Sequence, residues 1–288
     1  MSQTPSRGYL ICCIERTGSN LLAQALADTG LAGRPIEYFN PALQDDPQIR
    51  NILGDADLIG GLPKVLRGGT TSNGIFGAKV HWGHFRHFGM LLTAQWSPAQ
   101  RLVLYETLRS LPELLSLPAA VDLLHASFPE MAWEAPAYTA LQSQLPDLRM
   151  IWLKRRNVVA RAISDFRARQ TGRWYLPLSD AAKVAVSDEA DFDFAEIHIR
   201  CCLGVFQQQM WQRFFREREI LPHVVVYEDM AAQYEKIVRD VLQFLEVGDT
   251  TTVVHRPRSA IQSDRLSKHW EERYLALSAK KWGLTDLA

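Results

Sequence analysis

Short continuous apolar runs alternate with stretches whose apolar positions recur at helical spacing along this 288-residue chain. GYLICCI (Gly8 to Ile14) is the first run, and its lack of polar alternation predicts a strand covered on both faces of a parallel sheet. Leu21, Leu22, Ala25 and Leu26 then return with the period of a helix, and Gly30 supplies a stop. Further strands are predicted at GIFGAKVHW (Gly74 to Trp82), LRMIWLK (Leu148 to Lys154) and HVVVYEDM (His223 to Met230). Helical patterns follow the third strand (Val158 to Phe166), cover Glu196 to Glu219, and follow the fourth strand from Tyr234 to Leu245. Strand–helix alternation predicts an α/β fold, a parallel sheet flanked by helices through right-handed crossovers. The stretch from Gln95 to Gln144 reads as mostly helical, a cap on that sheet. No repeat or linker divides the chain, so residues 1–288 are read as a single domain.

Composition narrows the class. With 47% hydrophobic residues and 32 basic against 32 acidic groups, the chain suits an enzyme-like globule and lacks the basic excess of a nucleic-acid binder. No apolar run reaches the length of a membrane span, and the N-terminal run is too short for a secretory signal, so a cytoplasmic protein is expected. The cysteines form two adjacent pairs, Cys12/Cys13 and Cys201/Cys202, without C-x-x-C spacing, and are expected to be buried and reduced.

The candidate chemistry starts in ERTGSN, between the first strand and its helix. Helix N-termini present free N–H groups and a favourable dipole to anions. Gly18 allows close approach, Thr17, Ser19 and Asn20 add polar side chains, and Arg16 adds a charged fork. An ordinary tight turn with a solvated arginine fits the same residues. In KRRNVVARAIS, Arg156 ends the third strand and Ser164 lies about two turns into the next helix, where both reach one phosphate. Neither G-x-x-x-x-G-K-[ST] nor G-x-G-x-x-G is present. Two such junctions in one sheet suit a ligand with phosphates at both ends. His81, His84 and His87 share a three-residue spacing but lack a carboxylate or cysteine at a fixed offset, so no metal site is expected.

Together these motifs resemble the sulfotransferases that use 3′-phosphoadenosine 5′-phosphosulfate (PAPS), in particular the Stf0-type family, with its P-loop-like fold and its trehalose sulfotransferase. RTGSNLL is similar to the family's 5′-phosphosulfate loop, and Arg156 with Ser164 to its 3′-phosphate site. GRPIEYFNP (Gly33 to Pro41) resembles the acceptor motif, and QTGRW, VVYEDM and QSDRLSKHWEERY are also family-like. The resemblance implies PAPS as co-substrate, a carbohydrate or glycolipid acceptor, a homodimer, and Glu37 as general base with His81 the second candidate. Among the aromatic residues, Trp82 and Trp174 offer stacking surfaces for a sugar or adenine, with Trp174 assigned to the donor, although such residues also suit a core. The family usually has proline where this chain has Glu15, and a hydroxyl residue where it has Asn20. The competing readings are a P-loop-like small-molecule kinase, which would need magnesium and ATP, and a catalytically silent nucleotide- or carbohydrate-binding protein.

Overall fold

The four strands form one parallel sheet in a computed structural model of the chain, which describes residues 5–93, 103–111, 113–127, 133–175, 191–249, 251–258 and 265–283. They are β1 (Arg7–Cys13), β2 (Ile75–His81), β3 (Leu148–Lys154) and β4 (His223–Val226), in the order β2-β1-β3-β4. The helices are α1 (Ser19–Asp28), α2 (Pro47–Leu53), α3 (Leu62–Gly68), α4 (Trp82–Leu92), α5 (Val103–Arg109), α6 (Leu117–Ser127), α7 (Glu134–Gln144), α8 (Val158–Thr171), α9 (Phe194–Glu217), α10 (Tyr227–Ala232), α11 (Tyr234–Phe244) and α12 (Arg265–Trp282).

The apolar runs are explained by burial on both faces. Along β1, Tyr9, Ile11 and Cys13 join a core with Leu22 and Leu26 of α1 and Val238, Val241 and Leu242 of α11. Leu10 and Cys12 point the other way, into a core with Ala78 and Val80 of β2 and Phe206, Trp211 and Phe214 of α9. A third cluster joins α8, α9 and α12 through Val159, Ile163, Phe166, Ile197, Trp270 and Tyr274. All four cysteines are buried and unpaired, as expected.

The fourth strand is shorter than the apolar pattern predicts. It ends at Val226, and Tyr227 to Ala232 coil into α10 with Glu228 and Asp229 in the first turn, where carboxylates favour a helix. Of the stretch expected to be helical from residue 95 to 144, α5, α6 and α7 are seen; residues 94–102, 112 and 128–132 lie outside the described residues.

Parallel strands bring their carboxyl ends to one edge. Cys13 pairs with His81 across β1 and β2, and Lys154 with Val226 across β3 and β4. β1 lies between β2 and β3, so the segments that follow all three strands start from that edge.

Candidate active site

The loop after β1 has the backbone of an anion site. Gly18 caps α1 at φ 85°, and a Cβ there would stand 2.5 Å from Tyr227 Cδ2, so only glycine fits without moving the ring. Arg16 holds φ 64°, a left-handed conformation that side chains rarely adopt and that clusters at ligand-binding positions. Thr17 is fully buried and its hydroxyl donates to the Ile14 carbonyl at 2.8 Å, which pins the loop inward. Ser19 and Asn20 open α1, where the helix leaves N–H groups unsatisfied.

The two predicted anion junctions meet, through a different pair than expected. Arg16 Nε donates to Ser164 Oγ at 2.9 Å, and its Nη1 donates to the Trp174 carbonyl. Arg156, 58% exposed, turns to Asp229, with Nη2 2.5 Å from Oδ2, and is not brought to Ser164. Arg155 faces the loop instead: Nη1 donates to the Arg16 carbonyl at 3.2 Å and the guanidinium lies 4.7 Å from the Tyr227 ring centre. The basic run Lys154–Arg156 contained that signal, since successive residues leave a strand in opposite directions. Burial lowers the pKa of Arg16 and of Arg155, and neighbouring arginines add to the effect. Such crowded, desolvated cations would gain from an anion. The Trp174 ring lies exposed against the Arg169 guanidinium, whereas Trp82 is core, edge-on to Trp211.

Glu37 reaches the same edge because its segment runs against β2. Ile36 bridges to Ala78, and the Lys79 N–H donates to the Ile36 carbonyl at 3.0 Å. This close approach needs Gly33 at φ 69°, where a Cβ would sit 2.4 Å from the Gly77 nitrogen. Glu37 pairs with Lys79, Nζ to Oε1 2.7 Å, and accepts from Asn40 Nδ2 at 2.7 Å, while Arg34 is exposed. Lys79 also hydrogen-bonds Asn20 Oδ1, so one buried ammonium links the loop after β1 to the Glu37 carboxylate. Lys79 is absent from the sequence candidates, although a lysine inside a strand buried on both faces is itself a signal.

His81 ends β2 between two carboxylates: Nδ1 lies 3.6 Å from Glu15 Oε1 and Nε2 3.9 Å from Glu37 Oε1. His84 stacks on His81 with ring centres 4.9 Å apart, its Nδ1 3.7 Å from Glu37 Oε2. Glu15 thus engages His81, which gives its charge a partner beside the anion loop. Burial alone would raise the Glu37 pKa, but His81 and Lys79 draw it down to about 2. Burial opposes charge on His81, yet Cys13 and the two carboxylates hold its pKa above the ordinary value. Burial and repulsion from His81 bring His84 down to about 3.

The chain belongs to the Stf0 sulphotransferase family, whose model matches residues 8–95 and 116–276 and so covers both junctions and Glu37. It is similar to a trehalose 2-sulfotransferase of Mycolicibacterium smegmatis, 27% identical over 300 residues, with 95% of this chain and 96% of that protein covered. A trehalose 2-sulfotransferase of Mycobacterium tuberculosis is 26% identical over 303 residues, with 96% and 97% covered. Among solved structures, a sulfotransferase from Alicyclobacillus acidocaldarius aligns with TM-score 0.42 at 12% identity, covering 96% of this chain and 94% of that one. No helix among the described residues is long and apolar enough to cross a membrane.

Proposed function

We propose that this chain transfers the sulfuryl group of PAPS to a hydroxyl of a carbohydrate or glycolipid, with trehalose the first acceptor to test because both curated relatives carry it in their names. The observation that carries the reading is Lys79, in contact with both Asn20 of the anion loop and Glu37. In the transfer, a bond forms from the acceptor oxygen to sulfur as the bond from sulfur to the phosphate oxygen breaks, and charge grows on that phosphate. Arg16 and the first N–H groups of α1 are suited to neutralise it. Arg155, Arg156 and Ser164 serve the other phosphate.

Glu37 takes the acceptor's hydroxyl proton in this scheme. Its flanking cations keep it ionised and also weaken it as a base. Sulfuryl oxygens beside Asn20 would compete for Lys79, and Glu37 would then regain basicity as the donor settles. His81, with one nitrogen toward Glu37, is the second candidate. The proposal includes one transferase domain over residues 1–288, a cytoplasmic setting and a homodimer.

Steady-state sulfation of trehalose with PAPS tests the scheme. Glu37→Gln is expected to keep binding of adenosine 3′,5′-bisphosphate and to lose about 10²–10⁴-fold in kcat. An unchanged kcat with a raised KM would reduce Glu37 to an acceptor contact. Collapse of His81→Ala beside an active Glu37→Gln would move the base to His81. Bisphosphate binding without turnover on any sugar would leave a binding protein.

A further inference from the structure

The residues around Glu37 carry ligand chemistry that sulfuryl transfer does not use. One ligand atom each from Glu37, His81 and His84 lies within 4.8 Å of the others. Both ring nitrogens of His81 and Nδ1 of His84 are buried with no carboxylate closer than those of Glu15 and Glu37 at 3.6–3.9 Å, beyond a good hydrogen bond. Buried polar atoms are normally satisfied, and imidazole nitrogens with a carboxylate are the donor set of zinc, cobalt and nickel.

We propose that Glu37, His81 and His84 bind a divalent transition-metal ion such as zinc, and that an ion there blocks the acceptor carboxylate. His81 Nε2 and His84 Nδ1 face Glu37 at 3.9 and 3.7 Å. Ligand bonds of about 2.0–2.1 Å put tetrahedral neighbours roughly 3.3–3.5 Å apart, so side-chain rotation closes the site. Three protein ligands leave a fourth position for water, and Lys79 keeps the Oε1 side of Glu37.

The surroundings supply the outer contacts of a metal centre. A ligating histidine commonly turns its other nitrogen to a carboxylate, which orients the ring. His81 Nδ1 faces Glu15 Oε1 at 3.6 Å, and Asn40 Nδ2 orients Glu37 through Oε2. Glu15 and Glu37, less the charge of Lys79 paired to Glu37, leave one net negative charge toward the ion. Histidine spacing alone hid this arrangement, because both carboxylates come from other loops.

Metal-stripped full-length chain, titrated with zinc by calorimetry and with cobalt by visible absorption, tests the site. The expected result is one ion per chain, with affinity down about 10–100-fold in Glu15→Gln and by more in His84→Ala. If His84→Ala melts far below wild type, His84→Gln takes its place with the same expectation. No saturable binding by folded wild type, or equal affinity in the His84 variant, would overturn the site. Zinc that binds without competing against trehalose in the sulfation assay would overturn the blocking role. That role rests on the transferase reading, whereas the cobalt spectrum is measured without turnover, so the two fail separately.

Discussion

Replacing Lys79 by methionine probes the contact on which the transfer scheme depends. The Lys79 and Glu37 side chains are only 6% and 16% exposed, with Nζ 2.7 Å from Oε1. At an effective dielectric of about 20 their gross attraction is roughly 6 kcal/mol, most of it offset by desolvation. Removing one partner leaves the other charge buried and alone, which costs about 3–5 kcal/mol. Lys79→Met also deprives Asn20 of its donor. For a chain of this size the loss corresponds to a fall in Tm of about 5–8 °C. The assay is denaturant unfolding at neutral pH of wild type, Lys79→Met, Glu37→Gln and the double variant. The double variant has no unpaired charge, so it is expected to recover at least about 2 kcal/mol relative to the sum of the singles. A Lys79→Met loss below about 1 kcal/mol, or strict additivity, would refute a buried pair linking loop and carboxylate.

Gly18→Ala forces a left-handed alanine and a clash with Tyr227, and is expected to cost about 1–3 kcal/mol together with most bisphosphate affinity, read by melting and calorimetry. Arg156→Ala is expected to weaken adenosine 3′,5′-bisphosphate about tenfold while costing under about 1 kcal/mol of stability, because its pair with Asp229 is exposed; unchanged affinity would show that Arg156 stays on Asp229. Glu134 is buried with Oε2 unpartnered, and burial pushes its pKa from 4.5 up to about 7. The folded state therefore holds this proton more tightly than the unfolded chain. Stability falls by about 3 kcal/mol as pH rises from about 4.5 to 7 and is level above, and Glu134→Gln should remove that slope; parallel wild-type and variant curves would reject it.

The sheet was legible in the sequence because strands buried on both faces must be continuously apolar, and Leu148 to Lys154 came out with its predicted bounds. The turn from Arg16 to Asn20 was legible too, since a strand, a left-handed glycine and a helix N-terminus are neighbours in the chain. The end of β4 was not, because Val226 and Tyr227 suit a strand as well as Val224 does. Their fate was decided by Glu228 and Asp229, whose carboxylates take the Arg156 and Asn157 N–H groups and the Arg156 guanidinium.

By itself the sequence determined the elements, the loop from Arg16 to Asn20, and the family likeness that singled out Glu37. These rest on periodicity and on residues close along the chain. Only the tertiary structure decided that Lys79 joins Asn20 to Glu37, that Glu15 faces His81, and that Arg155 rather than Arg156 lines the loop. These contacts follow from the β1–β2 register, which sets Ile11 beside Lys79 and Cys13 beside His81, and from the direction in which each side chain leaves its strand. Registers between distant segments are chosen by the packing of the whole core, so no local pattern encodes them.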